Sequence, residues 1–242
     1  MTGEPLLTVA DLRVGIAGSS IVQGIGFTVA TTGVTALLGR NGAGKTTTVR
    51  AILGLLPGTG TITLDGQDIS GWPTHRIVRA GIGYAPEDRG VFAGLTVAEN
   101  LALAERPDLP HDYDTVYELF PELARRARQL AGSLSGGQQQ MVAIARTLLN
   151  PNRLVIADEP TKGLAPKVVG EVAEALSRLA ERVPLLLVEQ NLAVVREIGT
   201  EAVVLSAGRV AHTGSVAGLV GDPEVARALL GVAAGTRTDV SG

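Results

Sequence analysis

Val34-Thr35-Ala36-Leu37-Leu38-Gly39-Arg40-Asn41-Gly42-Ala43-Gly44-Lys45-Thr46-Thr47 is the stretch that decides how this chain is read. It opens on an apolar run suited to a buried strand, and beyond it Val49, Ile52, Leu53 and Leu56 recur at helical spacing. Between strand and helix, Gly39 to Thr46 satisfies the pattern G-x-x-x-x-G-K-[ST]. Glycines at 39, 42 and 44 carry no Cβ, so the backbone can take positive φ and turn its N–H groups onto a phosphate chain. The helix starting near Lys45 adds a partial positive charge, the Lys45 ammonium can reach β- and γ-phosphates, and the Thr46 hydroxyl can ligate magnesium. Arg40, Asn41, Ala43 and Thr47 complete the loop and its exit. By chance, the four fixed positions coincide on the order of once per hundred chains of this length, and the flanking strand and helix make chance rarer still. The stretch predicts a cradle for a nucleoside triphosphate.

Downstream by about a hundred residues, Leu154-Val155-Ile156-Ala157-Asp158-Glu159 is an apolar strand ending in two carboxylates. At the carboxyl end of a parallel strand, Asp158 would face the same crevice as the phosphate loop and could hold magnesium through water. Glu159 is placed to polarise an attacking water. Alone, the pair would be an ordinary acidic strand exit; beside a phosphate loop it points to hydrolysis. A third stretch, Leu134-Ser135-Gly136-Gly137-Gln138, precedes a helix through Met141, Val142, Ile144, Ala145 and Leu148. Ser135 is a good N-cap, and Gly136-Gly137 bares the N–H groups of the helix start as a second anion site. As an isolated pentapeptide this is more often only a capped helix. One nucleotide has one γ-phosphate, however, so a second anion site suggests two chains sharing two nucleotides, each closing the other's pocket.

Elsewhere the chain supplies the frame for these motifs. Leu6–Val9, Leu12–Ile16, Ile21–Val29 and Gly60–Leu64 are β-rich and predict antiparallel strands, with Ala10-Asp11 separating the first two. Gln67 to Gly81 reads as loop plus a short helix through Ile77 and Val78, and Gly83-Tyr84-Ala85-Pro86 ends a strand. Thr96 and Glu99 have capping-box spacing. Asp114 to Leu130 follows as helix, with Val116, Leu119, Phe120 and Leu123 apolar and arginines 125, 126 and 128 toward solvent. Leu185–Val188 and Val203–Leu205 are continuous apolar runs, the pattern of parallel strands buried on both faces, and Val168, Val172, Leu176 and Leu179 mark a helix between them. Arg209–Thr213 predicts a last edge strand. The division expected is a core with an antiparallel β subdomain over residues 1–86 and 151–230, a helical lobe over 87–150, and a tail, 231–242, rich in Gly, Ala, Thr and Ser. His75, His111 and His212 match no motif and are expected at the surface or in loops; Trp72 is expected to pack beneath a loop.

Composition narrows the class. With 242 residues the chain can bury a large core, and with no cysteine it has no disulfide framework, thiolate metal site or cysteine nucleophile. Lys plus Arg number 21 against 24 Asp plus Glu, dispersed to a net charge of −3, so no nucleic-acid surface is expected. Neither a signal peptide nor an apolar run of the ~20 residues that span a bilayer is visible.

In order and spacing, the phosphate loop, Leu134-Ser135-Gly136-Gly137-Gln138 and the strand ending Asp158-Glu159-Pro160 resemble the ATP-binding subunits of ABC transporters, over Leu6 to about Leu230. The resemblance implies a P-loop NTPase of the α/β class: a RecA-like core, an antiparallel β subdomain and an inserted helical subdomain. It implies ATP and magnesium as ligands, and head-to-tail pairing in which Ser135 and Gly137 of one subunit touch the γ-phosphate bound by Lys45 of the other. Hydrolysis would open and close that pair and move integral membrane permeases, from the cytoplasmic face of the membrane.

Departures from the general pattern carry information. Glu87 stands where a Gln usually binds magnesium and water and faces the permease. Gln190, in Val188-Glu189-Gln190-Asn191, replaces a His at the γ-phosphate; it donates a hydrogen bond without a positive charge. Ile16 falls where an aromatic stacks on adenine and offers apolar contact without a π face. Ala165 stands where many relatives have an Asp. Glu87 and Gln190, with Thr96-Val97-Ala98-Glu99-Asn100-Leu101, Glu118-Leu119-Phe120-Pro121 and Gly163-Leu164-Ala165-Pro166, look like one branch: the smaller ATPase subunit of importers for branched-chain amino acids, or for urea and short amides. That branch implies a second ATPase as partner, in a mixed pair rather than a pair of identical chains, and an extracytoplasmic solute-binding protein acting indirectly. An ATP-binding regulatory module and a soluble non-transport ABC ATPase are the alternatives.

Overall fold

A computed structural model describes residues 4–222 together with Glu224 and Arg227. In chain order the elements are β1 (Leu7–Ile16), β2 (Ser19–Val29), β3 (Val34–Gly39), α1 (Lys45–Ile52), β4 (Thr59–Leu64), β5 (Gln67–Asp68), α2 (Thr74–Arg79) and β6 (Ile82–Ala85). The middle of the chain holds α3 (Val97–Ala102), α4 (Tyr113–Leu119), α5 (Pro121–Arg125) and α6 (Gly136–Leu148). Then come β7 (Leu154–Asp158), α7 (Pro166–Ala180), β8 (Leu185–Glu189), α8 (Leu192–Ile198), β9 (Glu201–Ser206), β10 (Arg209–Ser215) and α9 (Val216–Gly221).

A six-stranded sheet runs β10-β9-β3-β8-β7-β6, parallel except for β10, and it explains the continuous apolar runs. Alternate residues of a strand point to opposite faces. Leu37, Leu154, Ile156, Leu186 and Val188 join the cluster under α1, which includes Val49 and Ile52. Ala36, Leu38, Val155, Ala157, Leu185 and Leu187 join the cluster made by α6, α7 and α8. Both faces being covered, no polar alternation remains. The apolar face of α7 is the predicted one at Val172, Leu176 and Leu179, while Val168 is only partly buried.

An antiparallel sheet, β2-β1-β4-β5, meets the phosphate loop where Ile21 and Val22 of β2 approach Gly44. Ala10-Asp11 does not interrupt it: β1 continues through a bulge between Val9 and Leu12, with Asp11 at φ 47°. A bulge admits an extra residue while each side keeps its pairing, so a break in the apolar pattern need not end a strand. Trp72 is half-buried against the core beneath α1, with Arg76 3.6 Å over its ring. His75 is exposed, and His111 and His212 are partly so.

Thr96 and Glu99 form the predicted capping box, with Thr96 N–H donating to Glu99 Oε2 at 2.7 Å and Glu99 N–H to Thr96 Oγ1 at 3.2 Å. The helix expected from Asp114 to Leu130 is instead two, α4 and α5, and stops at Arg125. Pro121 is the cause: it has no N–H to donate, its ring pushes Phe120 out of the helical region to φ −127°, and it starts α5 at the position proline favours. Val116, Leu119, Phe120 and Leu123 are buried as predicted; Arg125 and Arg128 are exposed, and Arg126 pairs with Glu122 at 2.8 Å. Residues 231–242, expected as a tail, lie outside the described residues. Among the described residues no helix is long and apolar enough to cross a membrane.

Candidate nucleotide site

Strand β3 ends at Gly39, the loop Arg40–Gly44 follows, and α1 begins at Lys45. Gly44 is the helix N-cap at φ 103°, a backbone state that a residue with a Cβ rarely takes, and it leaves the first N–H groups of α1 without a side-chain cap. Lys45 lies back along the loop, its Nζ donating to Gly39 O at 2.9 Å and to Arg40 O at 3.4 Å. Asn41, Gly42, Gly44, Lys45, Thr46 and Thr47 line one side of a cleft of about 250 Å³; Glu87, Glu159 and Lys162 line the other.

The acidic strand exit is where the sequence placed it, because β7 lies two strands from β3 and both end on the same edge. Asp158 is fully buried, with Thr46 Oγ1 donating to its Oδ1 at 3.5 Å and Tyr84 OH to its Oδ2 at 3.3 Å. Burial first, then the charges of Glu159 and Glu87, push the Asp158 carboxyl up to about 6. Glu159 has φ 46°, an uncommon state for a residue with a side chain, held by Glu159 N–H donating to Val188 O at 2.9 Å. Its Oε1 takes Lys45 Nζ at 3.3 Å and Gln190 Nε2 at 2.6 Å; its Oε2 takes Lys162 Nζ at 3.2 Å. Burial alone would raise Glu159, but the bonds from Gln190, Lys162 and Lys45 outweigh it and hold the carboxyl below its ordinary value. Gln190 also donates to Asn41 Oδ1 at 2.8 Å, joining β8 to the phosphate loop.

Residues outside the sequence motifs complete the site. Lys162 bridges Glu159 to Glu87, 2.5 Å from Glu87 Oε1. Its partner Glu87 is 75 residues away in the chain, so no local pattern announces it. Glu189 is buried and accepts from Thr161 N at 3.1 Å and Oγ1 at 2.5 Å, from Gln190 N at 2.9 Å and from Asn191 N at 3.0 Å. A carboxylate ending an otherwise apolar strand was the available signal. Tyr84 carries no sequence signal beyond its place at a strand end, yet its hydroxyl is what anchors Asp158.

The residues fit a magnesium ion in one respect: a buried carboxylate, Asp158, faces the Thr46 hydroxyl beside the phosphate loop. Among the described residues no group of three or more His, Asp or Glu could hold a metal by itself. Magnesium keeps waters and substrate oxygens and needs few protein ligands, so the Thr46–Asp158 pair is compatible with it, while Glu87, which lines the cleft with Thr46, is paired to Lys162. Ionising a buried acid of raised pKa weakens the fold, since the folded state binds the proton more tightly and stability falls as pH rises from the ordinary carboxylate range to about 6. Asp158→Asn is expected to raise the stability of nucleotide-free protein in EDTA at pH 7.5 by up to about 3 kcal/mol, a gain absent near pH 4; denaturant melts at both pH values check it.

Other predicted residues are not brought to this cleft. Ile16 ends β1, 42% exposed, before a tight turn in which Ala17 and Gly18 have φ of 47° and 81°; it does not line the cleft with Lys45. Ser135, Gly136, Gly137 and Gln138 begin α6 and are likewise outside it. Ser135 caps that helix reciprocally, Gln138 N–H donating to Ser135 Oγ at 3.3 Å and Ser135 N–H to Gln138 Oε1 at 3.0 Å. Gly137 has a steric reason to be glycine: a Cβ built there overlaps Val168 Cγ1 of α7. Gly137→Ala is expected to lose roughly 1–3 kcal/mol of stability, and adding Val168→Ala to recover most of it, as read from denaturant midpoints. Ala165 caps α7 with no side-chain bond, as an alanine must.

A family profile described as ABC transporter matches residues 22–162. The high-affinity branched-chain amino acid transport ATP-binding protein BraG of Pseudomonas aeruginosa is 39% identical over 204 residues, covering 82% of this chain and 88% of that protein. The probable branched-chain amino acid transport ATP-binding protein LivF of Archaeoglobus fulgidus is 32% identical, covering 94% and 99%. The lipopolysaccharide export system ATP-binding protein LptB of Haemophilus influenzae is 33% identical, covering 93% and 97%. Among solved structures, a nucleotide-free ATP-binding cassette from an ABC transporter superposes with a TM-score of 0.80 at 22% identity over 92% of this chain and 97% of that one. The cbiO1 structure from Clostridium perfringens does so at 0.79 and 25% identity, over 93% and 94%.

Proposed function

This chain belongs to the ABC transporter family of ATP-binding proteins, and from that premise we propose that it powers an importer for branched-chain amino acids. Members of the family hydrolyse ATP and work with membrane permeases, and this chain has the α/β fold of their ATPases. The reading of the solute rests on similarity to BraG and LivF at 39% and 32% identity. The 33% identity to LptB supports lipopolysaccharide export as the competing reading.

The observation that carries the catalytic part is the convergence of Lys45, Asp158, Glu159 and Gln190 on one sheet edge, with Lys45 and Glu159 side chains only 4% and 7% exposed. In this reading Gly39 to Thr47 wrap the phosphates, and Ile16 lies against the base. Thr46 and Asp158, with Glu87, would hold magnesium, which would shield charge on the phosphate oxygens. Glu159 orients water toward the γ-phosphorus and accepts its proton; the new bond is oxygen to phosphorus, the broken one joins phosphorus to the β,γ-bridging oxygen, and ADP and phosphate leave. Lys45 steadies the charge spreading over the equatorial oxygens, while Gln190 holds Glu159 and reaches the γ-phosphate. Ser135 to Gln138 lie outside their own chain's cleft, which supports their meeting the nucleotide of a second subunit. We take that subunit to be a related ATPase, the pair to sit on permeases at the cytoplasmic face of the membrane, and a solute-binding protein to act on the far side. The division into a core (1–86, 151–230) and a helical lobe (87–150) belongs to the same reading.

Removing this chain from its host separates the two solutes. Uptake of labelled leucine, isoleucine and valine is expected to fall to background with surface lipopolysaccharide unchanged; the opposite pattern would establish export instead.

A further inference from the structure

Among the charged residues that line the cleft, Lys162 is the one for which the reading above has no task, yet its ammonium touches both acids that face the loop. It is 2.5 Å from Glu87 Oε1 and 3.2 Å from Glu159 Oε2. The two oxygens of Glu159 are thereby divided: Oε1 belongs to Lys45 and Gln190, and Oε2, the one left to meet water, is covered by Lys162. We propose that Lys162 is a positioning residue that restrains Glu159 at rest and ties its release to the segment carrying Glu87. This rests on Glu159 being the group that orients water.

The geometry gives the restraint a direction. Lys162 is closer to Glu87 than to Glu159, so an ammonium drawn along with Glu87 leaves Oε2 open. The segment after Glu87 is itself fastened to the helices: Arg146 of α6 donates to Gly90 O at 2.5 Å and Asn100 O at 2.9 Å, and the Asn100 side chain bonds Phe92 N at 2.9 Å and Phe92 O at 3.0 Å. A shift of α3 and α6 relative to the sheet therefore moves Glu87. The Lys162 side chain is 50% exposed, so water and salt compete for the contact and it is weak enough to be broken in each cycle. Lys162 begins no helix and fills no core, which leaves a restraint as its structural consequence.

The test measures basal ATP turnover of the full chain. Lys162→Met is expected to raise kcat by about threefold or more with KM within about twofold, and Lys162→Arg to return the restrained rate. The ratio of Lys162→Met to wild-type rates should shrink toward one between about 50 and 500 mM KCl, as a screened contact requires. The unfolding midpoint should move by less than about 2 °C. In a chain that also carries Glu159→Gln, Lys162→Met should gain nothing. A Lys162→Met chain with wild-type kcat, or with lower kcat and an unmoved salt ratio, would overturn the restraint. A rate insensitive to Glu159→Gln would instead overturn the reading on which it rests.

Discussion

Glu159→Gln is expected to lower ATP turnover by about a hundredfold or more while leaving ATP affinity within about threefold. The substitution keeps the side-chain volume and the φ of 46°, which glutamine tolerates as glutamate does. Its amide oxygen can still accept from Lys45 and Gln190, now at 3.3 and 2.6 Å from Oε1. The amide nitrogen faces Lys162 as a donor, and Lys162, half-exposed and already 2.5 Å from Glu87, turns to it at little cost. What is lost is the carboxylate lone pair to which the proposed function assigns the water and its proton. Phosphate release in steady state and nucleotide binding by fluorescence measure the two halves. Unchanged release would remove Glu159 from its role.

Lys45→Ala acts on the other half of the pocket. Its ammonium lies between the carbonyls of Gly39 and Arg40 and the Glu159 carboxylate, and its side chain is 4% exposed. Truncation leaves a cationic gap where phosphate charge would sit, so ATP affinity is expected to fall by about a hundredfold or more, as for removal of one member of a buried charged hydrogen bond. Stability should fall by only roughly 1–2 kcal/mol, because Glu159 keeps Lys162 and Gln190 as partners. Equilibrium binding and denaturant melts separate these effects. Loss of all phosphate release together with binding also excludes a regulatory module that scarcely hydrolyses ATP, provided the wild-type chain releases phosphate steadily.

Most of the frame was legible because its signals are local. The strand, glycine loop and helix from Val34 onward, the capping box at Thr96 and Glu99, and the capped start of α6 each lie within a few residues and form as read. So do the buried strands β7, β8 and β9, whose lack of alternation reports two covered faces. Pro121 is an equally local signal, since proline after a helical run is a stop, and it outweighs the apolar spacing that continues past it. The bulge at Asp11 was harder, since only its neighbours β2 and β4 make the continued strand visible. Within the site, residue types at a strand end or loop could be placed from sequence. Their partners could not: Gln190 with Asn41, Tyr84 with Asp158 and Lys162 with Glu87 are separated by 149, 74 and 75 residues. Such pairings are set by the order of strands in the sheet.

Glu189 fastens Thr161 on one loop and Gln190 and Asn191 on the next with a single carboxylate. Those loops lie 28 residues apart in sequence but share that anchor, so they form one mechanical part rather than two hinges. A tug on Gln190 is thus felt at Thr161, next to Lys162, without any change in the strands beneath. Amide protons at 161, 190 and 191 should consequently exchange with solvent in step, as members of one opening unit.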